Sequence, residues 1–303
     1  MAVSDDTIGI GELARLAGLP VRTVRFYCDE GVLQPRRSAG GHRRFDQAAV
    51  ERLRLVRRLR ALGLGLAAIT RVLAGERALA EAVAAERAAV DAEMAALAWR
   101  RASLRAVEEA APAERAARLD LLAVVERGGG AAYEAVREFW RELMVAPMPP
   151  RRLEDFVDGM VPVPPADPTP GQVVAYAELV VMAADRPLVR RLRERGKANA
   201  PHIADEAALL GGIAEACAMA APDVRGGLDP RPGPALDRLV GAYAEARGGP
   251  DTPEFRRRLR TRILADDVPE VRRYWRLRGE VTGDPLTLGA VHEWLVKALA
   301  APV

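Results

Sequence analysis

Two groups of cationic side chains near the N-terminus have the chemistry needed to bind phosphate. The first group, Arg22 and Arg25 with the hydroxyl of Thr23 between them, follows a helix breaker at 18–20. The second group consists of five cationic or potentially cationic side chains: Arg36, Arg37, His42, Arg43 and Arg44. Clustered positive charge attracts phosphate groups and makes their binding dependent on salt concentration. The spacing therefore predicts contact with a phosphate backbone.

Two short helices joined by a tight turn are predicted to position the first group. An amphipathic segment ends at Gly18-Leu19-Pro20, and a second helix follows from Val21 to about Glu30. The apolar side of the first segment is formed by Ile10, Leu13, Ala14 and Ala17. A second helix with polar residues at its start, set after a glycine turn, is the helix-turn-helix arrangement, and such a helix fits the DNA major groove. Because many folds contain two helices around a glycine, this pattern alone is not specific.

A β-hairpin is predicted to present the second group. Two extended pieces surround the permissive turn Gly40-Gly41, which is typical of a wing lying along a phosphate backbone. Asp46 is a suitable N-cap for the long helix that follows, and Gly63-Leu64-Gly65 ends that helix before a short one at 66–73. The apolar faces of the long helix are predicted to be formed by Val50, Leu53, Val56, Leu59 and Leu62.

The order of these motifs resembles a known family. IGELARLAGL, VRTVRFY, EGVL, GHRRF and LRALGLGLAAI follow one another along roughly a quarter of the chain. This stretch resembles the winged helix-turn-helix domain of MerR-type transcriptional regulators. The resemblance implies that Arg22 and Thr23 reach base edges or neighbouring phosphates, and that Arg25 and Tyr27 clamp the DNA backbone. Further backbone contacts are expected from the wing residues Arg36, His42, Arg43 and Arg44.

Two residues depart from the pattern of that family. Cys28 stands where members often carry a second aromatic residue, and Phe45 stands where tyrosine is common. Each change removes a hydroxyl that would contact phosphate. A small packing residue is the favoured interpretation of Cys28, and a reactive thiol at the end of a helix is the alternative.

Length and charge indicate a modular chain. The 303 residues are enough for units with separate cores. Residues 1–75 contain 13 arginines and seven acidic residues, a net charge of +6, whereas the remainder carries −3. The chain has 43 arginines and only two lysines. Many individual arginines are therefore expected only to keep a protein surface hydrated, without a role in binding. We expect a DNA-binding domain at 7–75, a dimerisation helix at 76–110 and a helical domain at 111–303.

A long helix with a heptad seam is predicted after the basic domain. Residues 76–109 contain neither Gly nor Pro, and apolar side chains recur every seven residues at Val83, Val90, Leu97 and Leu104. This periodicity favours a coiled coil, although the opposite core positions, such as Glu86 and Glu93, are polar. The family resemblance implies dimerisation through this helix. The alternative is that it packs only on its own C-terminal domain.

The remainder of the chain, 111–303, is predicted to be all-helical, with almost no strand-like alternation. The fold class is therefore mainly all-α with a small β-hairpin wing. Prolines interrupt the helical pattern at 147–170 and at 222–234, and the first interruption is a candidate boundary between two subdomains. Helices are expected near 113–127, 131–145, 151–159, 171–184, 186–195, 201–220, 234–247, 253–265, 268–280 and 287–300, some of them merged. The segments VREFWR (136–141) and VRRYWR (271–276) suggest a duplicated helical unit.

The family resemblance frames this helical domain as a binding site for an effector. Cys and His are absent between 76 and 201, and no cysteine group suits an iron–sulfur cluster, so neither metal nor cofactor is predicted. Aromatic side chains concentrate in the domain and favour an organic ligand, with core packing as the alternative for each. The candidates are Tyr133, Trp140, Tyr176, Trp275 and Trp294. Catalysis is not expected, since phosphate loops and nucleophile motifs are lacking and His202 with Glu206 is only an isolated pair.

These observations together predict a homodimeric transcription regulator that responds to a small organic effector. Its partners would be double-stranded promoter DNA and RNA polymerase, and the resemblance implies that it distorts a promoter whose spacer is too long. The alternative is a ligand-independent activator or repressor whose C-terminal domain binds a partner or is structural. With no signal peptide or membrane-length apolar stretch apparent, the expected location is the cytoplasm.

Overall fold

The computed structural model describes residues 7–37, 41–126, 128–145, 148–265 and 268–301 and divides them into two compact units. The N-terminal unit runs to Glu93 and the C-terminal unit starts at Met94. The described part of the N-terminal unit contains four helices and the first half of a fifth: α1 (Ile10–Ala17), α2 (Val21–Asp29), α3 (Ala48–Ala61), α4 (Leu66–Leu73) and α5 (Leu79–Glu108). The mainly helical fold class is confirmed.

The C-terminal unit contains the remainder of α5, ten further described α-helices and two short 3-10 helices (Ala123–Val125 and Ala200–His202), with no strand among its described residues. All ten correspond to helical segments predicted from the sequence. They are α6 (Arg115–Leu122), α7 (Gly129–Leu143), α8 (Pro150–Met160), α9 (Pro170–Ala184), α10 (Arg186–Asn199), α11 (Glu206–Arg225), α12 (Pro234–Ala246), α13 (Pro253–Ala265), α14 (Pro269–Thr282) and α15 (Leu288–Ala300).

A small antiparallel sheet stands beside the helices of the N-terminal unit. It contains β1 (Ile8–Gly9), β2 (Arg36–Arg37) and β3 (Arg43–Phe45) in the order β1-β3-β2. The hairpin of β2 and β3 is the predicted wing, while β1 was not predicted because two residues carry no alternating pattern. Gly40 of the expected turn lies outside the described residues. Gly41, which is described, has a φ of 78°, a left-handed conformation that glycine adopts at little cost.

The helix-turn-helix forms because a left-handed glycine turns the chain between two amphipathic helices. Gly18 ends α1 with a φ of 66°, and Pro20 precedes the first residue of α2. Leu13, Ala14 and Ala17 of α1 are buried in the core of the unit, together with Val24 of α2.

The third helix closes this core and shows one error in the predicted pattern. The Asp46 carboxylate accepts a hydrogen bond from the Ala49 backbone N–H at 3.0 Å, which supports the capping role given to this residue. Val50, Leu53, Val56 and Leu59 are buried as predicted. Leu62 is 67% exposed, so its assignment to the apolar face was wrong. Helix α3 ends at Ala61 and Leu62 is its C-cap residue, so the helical spacing that places Leu59 in the core does not extend to it.

The main core of the C-terminal unit is built around α9. Tyr176 at its centre is fully buried, and its hydroxyl donates a hydrogen bond to the Pro162 carbonyl oxygen at 2.9 Å. A reciprocal capping box between Thr169 and Gln172 fixes the start of α9. Helix α14 returns to pack on α9, and the Gln172 side-chain amide donates to the Val281 carbonyl oxygen at 2.7 Å.

The proline-rich stretch at 147–170 does not separate two cores. Ala132 and Val136, before it, belong to the same buried cluster as Val173 and Leu179, after it. The packing therefore gives no support to a subdivision at this stretch. Pro147 itself lies outside the described residues.

A second buried cluster joins α11, α12 and α15. The predicted interruption at 222–234 lies between α11 and α12, but it begins only after Arg225, because Pro222 itself is inside α11. By length and composition alone, α11 is the one helix in the described ranges that is long and apolar enough to cross a membrane, a stretch that was not predicted from the sequence. Its Ala216 and Cys217 are buried in the cluster, and its Glu215 pairs with Arg238 of α12 at 2.8 Å. These contacts place one face of α11 in the core of the C-terminal unit.

Candidate nucleic-acid interface

The second helix of the helix-turn-helix presents two arginines to solvent. Val24 and Tyr27 anchor the inner face of α2, which leaves Arg22 and Arg25 exposed on the outer face and Thr23 half-buried. Among the described residues, no hydrogen bond or ion pair engages the guanidinium of Arg22 or Arg25. Both are therefore available to a nucleic acid, because no internal carboxylate has to be displaced.

An aromatic pair on α2 differs from the expected arrangement. The Tyr27 ring, predicted to clamp the backbone, is only 8% exposed and packs in the core of the N-terminal unit. Its neighbour Phe26 is 50% exposed, and the two ring centroids are 5.8 Å apart. No role was predicted for Phe26, because an aromatic residue next to Tyr27 in so short a helix fits the inner face as well as the outer one.

The wing divides its cationic residues between its two strands. Arg36 of β2 pairs in register with Arg44 of β3, and Arg37 with Arg43. Arg36 and Arg37 are exposed, and no hydrogen bond or ion pair engages them within the ranges that the structure describes. His42, also exposed, directly precedes β3.

The two arginines of β3 are engaged within the protein. The Arg43 guanidinium pairs with the Asp29 carboxylate at the end of α2, at 3.1 Å. Arg44 Nε donates to the Thr7 hydroxyl at 3.2 Å. The wing strand β3 is thereby tied both to α2, the second helix of the helix-turn-helix, and to Thr7, the residue before β1.

Three arginines of α3 have structural partners instead of outward positions. Arg57 donates to the Ala17 carbonyl oxygen at 3.1 Å and Arg54 to the Leu16 carbonyl oxygen at 3.4 Å. Both bonds satisfy carbonyl groups at the C-terminal end of α1, where the helix itself offers no donor. Arg60 donates to the Leu64 carbonyl oxygen at 2.8 Å, after the end of α3. These side chains hold the helices together.

Cys28 behaves as a packing residue. Its side chain is half-buried against the core, and burial raises the pKa of the thiol, an effect that the nearby Arg43 guanidinium partly opposes. A raised pKa keeps the sulfur protonated at neutral pH and therefore less nucleophilic. The geometry favours the packing interpretation over a reactive thiol.

Comparison with known proteins agrees with this geometry. Residues 9–76 match the model of the MerR HTH family of regulatory proteins. The HTH-type transcriptional regulator MerD of Shigella flexneri is 40% identical over 112 residues, which make up 35% of this chain and 91% of MerD. The chain belongs to the MerR family.

Other MerR-type relatives match a shorter part of the chain. The nodulation protein NolA of Bradyrhizobium sp. (strain NC92) is 40% identical over 73 residues, 24% of this chain and 31% of NolA. The regulator HmrR of Rhizobium leguminosarum bv. viciae is 36% identical over 67 residues, 22% of this chain and 52% of HmrR. The chain thus spans about a third of the length of NolA and about half that of HmrR. No solved structure matches the chain significantly.

In this MerR-family chain, the predicted dimerisation residues lie on one exposed stripe of α5. Their exposed fractions are Val83 38%, Val90 46%, Leu97 57% and Leu104 64%. The opposite face of the second half of α5 is buried in the C-terminal unit through Trp99, Ala102 and Ala106. The Trp99 indole N–H donates to the Pro165 carbonyl oxygen at 2.9 Å. The second half of α5 therefore packs within the C-terminal unit, through a face other than the heptad seam.

The five aromatic residues proposed as effector contacts do not converge on one site. Trp140 and Trp275 meet, with ring centroids 6.4 Å apart, so the two similar segments at 136–141 and 271–276 pack against each other. Tyr133 lies beside Arg137, whose guanidinium is 5.3 Å from the ring centroid. Tyr176 is enclosed in the main core, and Trp294 donates its indole N–H to the Leu228 carbonyl oxygen in the second cluster.

The described part of the chain contains no candidate metal site. There, no group of three or more His, Cys, Asp or Glu side chains is arranged to hold an ion. The Cys217 thiol is buried, which raises its pKa to about 11. Burial also raises the pKa of the Glu206 carboxyl, the neighbour considered for His202.

Proposed function

We propose that the chain is a sequence-specific, DNA-binding transcription regulator. The observation that carries this proposal is the outward display of Arg22, Arg25 and Arg36 without carboxylate partners in the described residues. An exposed guanidinium free of internal pairs gains a full charge-assisted contact with phosphate or with a guanine edge. Residues 9–76, which match the family model, contain all three side chains. The regulator acts in the cytoplasm on double-stranded promoter DNA.

We further propose that two copies pair through the exposed seam of α5. Four apolar side chains at seven-residue intervals remain open to solvent, while the opposite face of the second half of the helix is buried. An antiparallel coiled coil would remove these side chains from water. Two recognition helices would then read a palindromic site.

Within this proposal, the dimer distorts a promoter and so realigns the elements that RNA polymerase reads. The arginines of the recognition helix and wing supply backbone contacts that offset the cost of bending and twisting DNA, of order 1–6 kcal/mol. The C-terminal unit receives a small organic effector that biases this distortion. We assign no catalytic step to the chain, and we assign it no cofactor.

A ligand-independent regulator is the second candidate. It is favoured by the position of Tyr176, whose ring is fully buried, and by Trp294, whose indole is hydrogen-bonded inside another cluster. In that case the C-terminal unit is structural or binds a partner. Footprinting on the DNA upstream of the coding sequence, with and without organic compounds, distinguishes the two, since only the first candidate predicts a footprint that changes.

A double substitution tests the dimer. We expect Val90→Asp with Leu97→Asp to give monomers in analytical ultracentrifugation and to abolish the footprint at nanomolar protein, because charge would be buried in a desolvated seam. The control is Ala88→Asp with Ala92→Asp, which adds the same charge at exposed positions on the opposite side of α5. A seam variant that still sediments as a dimer would place the interface elsewhere.

A further inference from the structure

We propose that a cavity between α14 and α15 binds a planar, uncharged aromatic molecule that stacks on Trp275. The cavity has a volume of about 460 Å³ and lies within the C-terminal unit. Cavities of roughly 300–1,000 Å³ are usual for small-molecule ligands. The cavity would be the effector site of the proposed function. The inference rests on that function only where it gives the ligand a role in regulation, since binding of the ligand is measurable without DNA.

The cavity has a rigid aromatic wall. The Trp275 ring makes an edge contact with Tyr274, with centroids 5.5 Å apart, and a tilted contact with Trp140 at 6.4 Å. The Arg278 guanidinium lies 5.7 Å from its ring centroid. These neighbours hold the indole in one orientation while part of it borders the cavity. A ligand stacking there has little side-chain freedom to immobilise, which favours binding.

Two glycines bring the walls of the cavity together. A Cβ atom at Gly289 would lie 2.0 Å from Cγ of Trp275, so only glycine allows α15 to approach the indole this closely. A Cβ atom at Gly279 would lie 3.1 Å from the Asp284 carbonyl oxygen, in the connection that leads to α15. The cavity therefore depends on an approach of backbone to ring that a single methyl group would prevent.

The charges of the lining indicate an uncharged ligand. They are two arginines, Arg272 and Arg276, and two glutamates, Glu280 and Glu293. Arg276 pairs with Glu280 at 3.8 Å, while Glu293 pairs with Lys297 at 2.8 Å. With the charges of the lining balanced, an ionic ligand would gain little attraction and would lose its hydration. A flat uncharged molecule gains the contact with Trp275 at no such cost.

Three tricyclic probes of different charge test this inference on the full chain. They are 9-anthracenemethanol, which is neutral, 9-anthracenecarboxylate, which is anionic, and 9-aminoacridine, which is cationic at neutral pH. We expect the neutral probe to bind one per chain, at least tenfold tighter than either ion, in fluorescence titrations. Trp275→Ala should weaken its binding at least tenfold. Trp294→Phe, which alters an indole outside the cavity lining, should leave it unchanged.

A pair of glycine variants provides a matched test of the shape. Gly289 and Gly171 occupy the same position, second in a helix after a threonine N-cap (Thr287 and Thr169). At Gly171, however, the nearest atom to an added Cβ is the Thr169 hydroxyl at 4.0 Å, an ordinary contact. We expect Gly289→Ala to weaken binding of 9-anthracenemethanol at least tenfold and Gly171→Ala to leave it unchanged.

The possible results decide the inference separately from the function. Equal binding by the wild type and both cavity variants would overturn the site, and tighter binding of either ion would overturn the ligand class. Absence of binding by every probe would also overturn it. Circular dichroism reports folding, and if Trp275→Ala does not fold, the two glycine variants decide. A chain that binds the neutral probe but protects no DNA in a footprint would overturn the proposed function and leave the cavity standing.

Discussion

Some exposed arginines of the N-terminal unit differ in their contacts from the most engaged arginines of the C-terminal unit. On the surface of the N-terminal unit, Arg22, Arg25 and Arg36 are exposed and meet no carboxylate in the described residues. In the C-terminal unit, Arg137 contacts Glu154 and Asp158, and Arg256 contacts Asp237 and Asp251. The positive charges of Arg137 and Arg256 are therefore compensated by carboxylates of the protein itself. The comparison teaches that positive charge indicates a nucleic-acid surface only where it has no internal partner.

The pairing in the C-terminal unit has a visible electrostatic consequence. A hydrogen bond with Asp158 raises the pKa of Arg137, and one with Glu154 raises that of Arg141. The same contact with Arg141 lowers the pKa of the Glu154 carboxyl. This network ties α7 to α8, because the two arginines belong to one helix and the carboxylates to the other.

The comparison predicts its largest effect for Arg137→Ala, which should lower the free energy of unfolding. The side chain is only 10% exposed, and its removal leaves Asp158 without its guanidinium partner and Glu154 with Arg141 alone. We expect a loss of about 3 kcal/mol in urea unfolding followed by tryptophan fluorescence. Arg101→Ala is the control: it also breaks a short contact with a carboxylate, Asp167, but both side chains are exposed. It should cost less than about 1 kcal/mol, and equal losses would refute the distinction.

A smaller effect is expected from Arg22→Ala, and it concerns affinity instead of stability. Loss of a base contact should weaken binding to the operator by between about 1 and 3 kcal/mol and binding to random DNA by less. Because the guanidinium has no partner in the described part of the chain, the melting temperature should not change. Gel-shift titrations on both DNAs measure the difference, and a uniform loss would make Arg22 a phosphate contact only.

The smallest effect sharpens the comparison within the wing itself. Arg36→Ala should reduce the salt dependence of DNA binding by about one unit of slope, as for one lost phosphate contact. Arg43→Ala should reduce it by less, because Arg43 already pairs with Asp29 at 3.1 Å. Asp29→Asn should release Arg43 and tighten binding at low salt. If Arg36→Ala and Arg43→Ala give the same slope, the internal pair does not compete with phosphate.

Most helices could be predicted because their signals are local. Prolines at the starts of α8, α9, α12 and α14 and the apolar spacing between them locate the helices of the C-terminal unit without any knowledge of packing. The strand β1 could not be predicted, since Ile8 and Gly9 become a strand only through pairing with β3. The continuation of helix α11 through Pro222 could not be predicted either, because it depends on whether the backbone there is exposed to water. The lost hydrogen bond would have engaged the carbonyl of Ala218, and both residues are exposed to water.

The order of the sequence motifs was enough to locate three exposed arginines of the candidate site, but not to show which of its residues pair with other residues of the protein. Sequence reasoning placed Arg22, Arg25 and Arg36 among the DNA contacts, and the structure exposes all three. It could not separate Arg43 from Arg36, because the pairing of Arg43 with Asp29 joins residues 14 positions apart across the fold. The burial of Tyr27 and the exposure of Phe26 depend on how α2 is rotated about its axis. In so short a helix, the sequence does not show which of two adjacent aromatic residues faces the core.

The return of α14 to α9 also sets an order of events during synthesis. Gln172 and Val281, which join the two helices, are 109 residues apart. At about 5–20 residues per second, the ribosome needs several seconds between them, and for that time α9 has emerged without the helix that covers it. The N-terminal unit, complete by Glu93, has no such wait. The newly made C-terminal unit is therefore the part of the chain that stays incompletely packed for longest during synthesis.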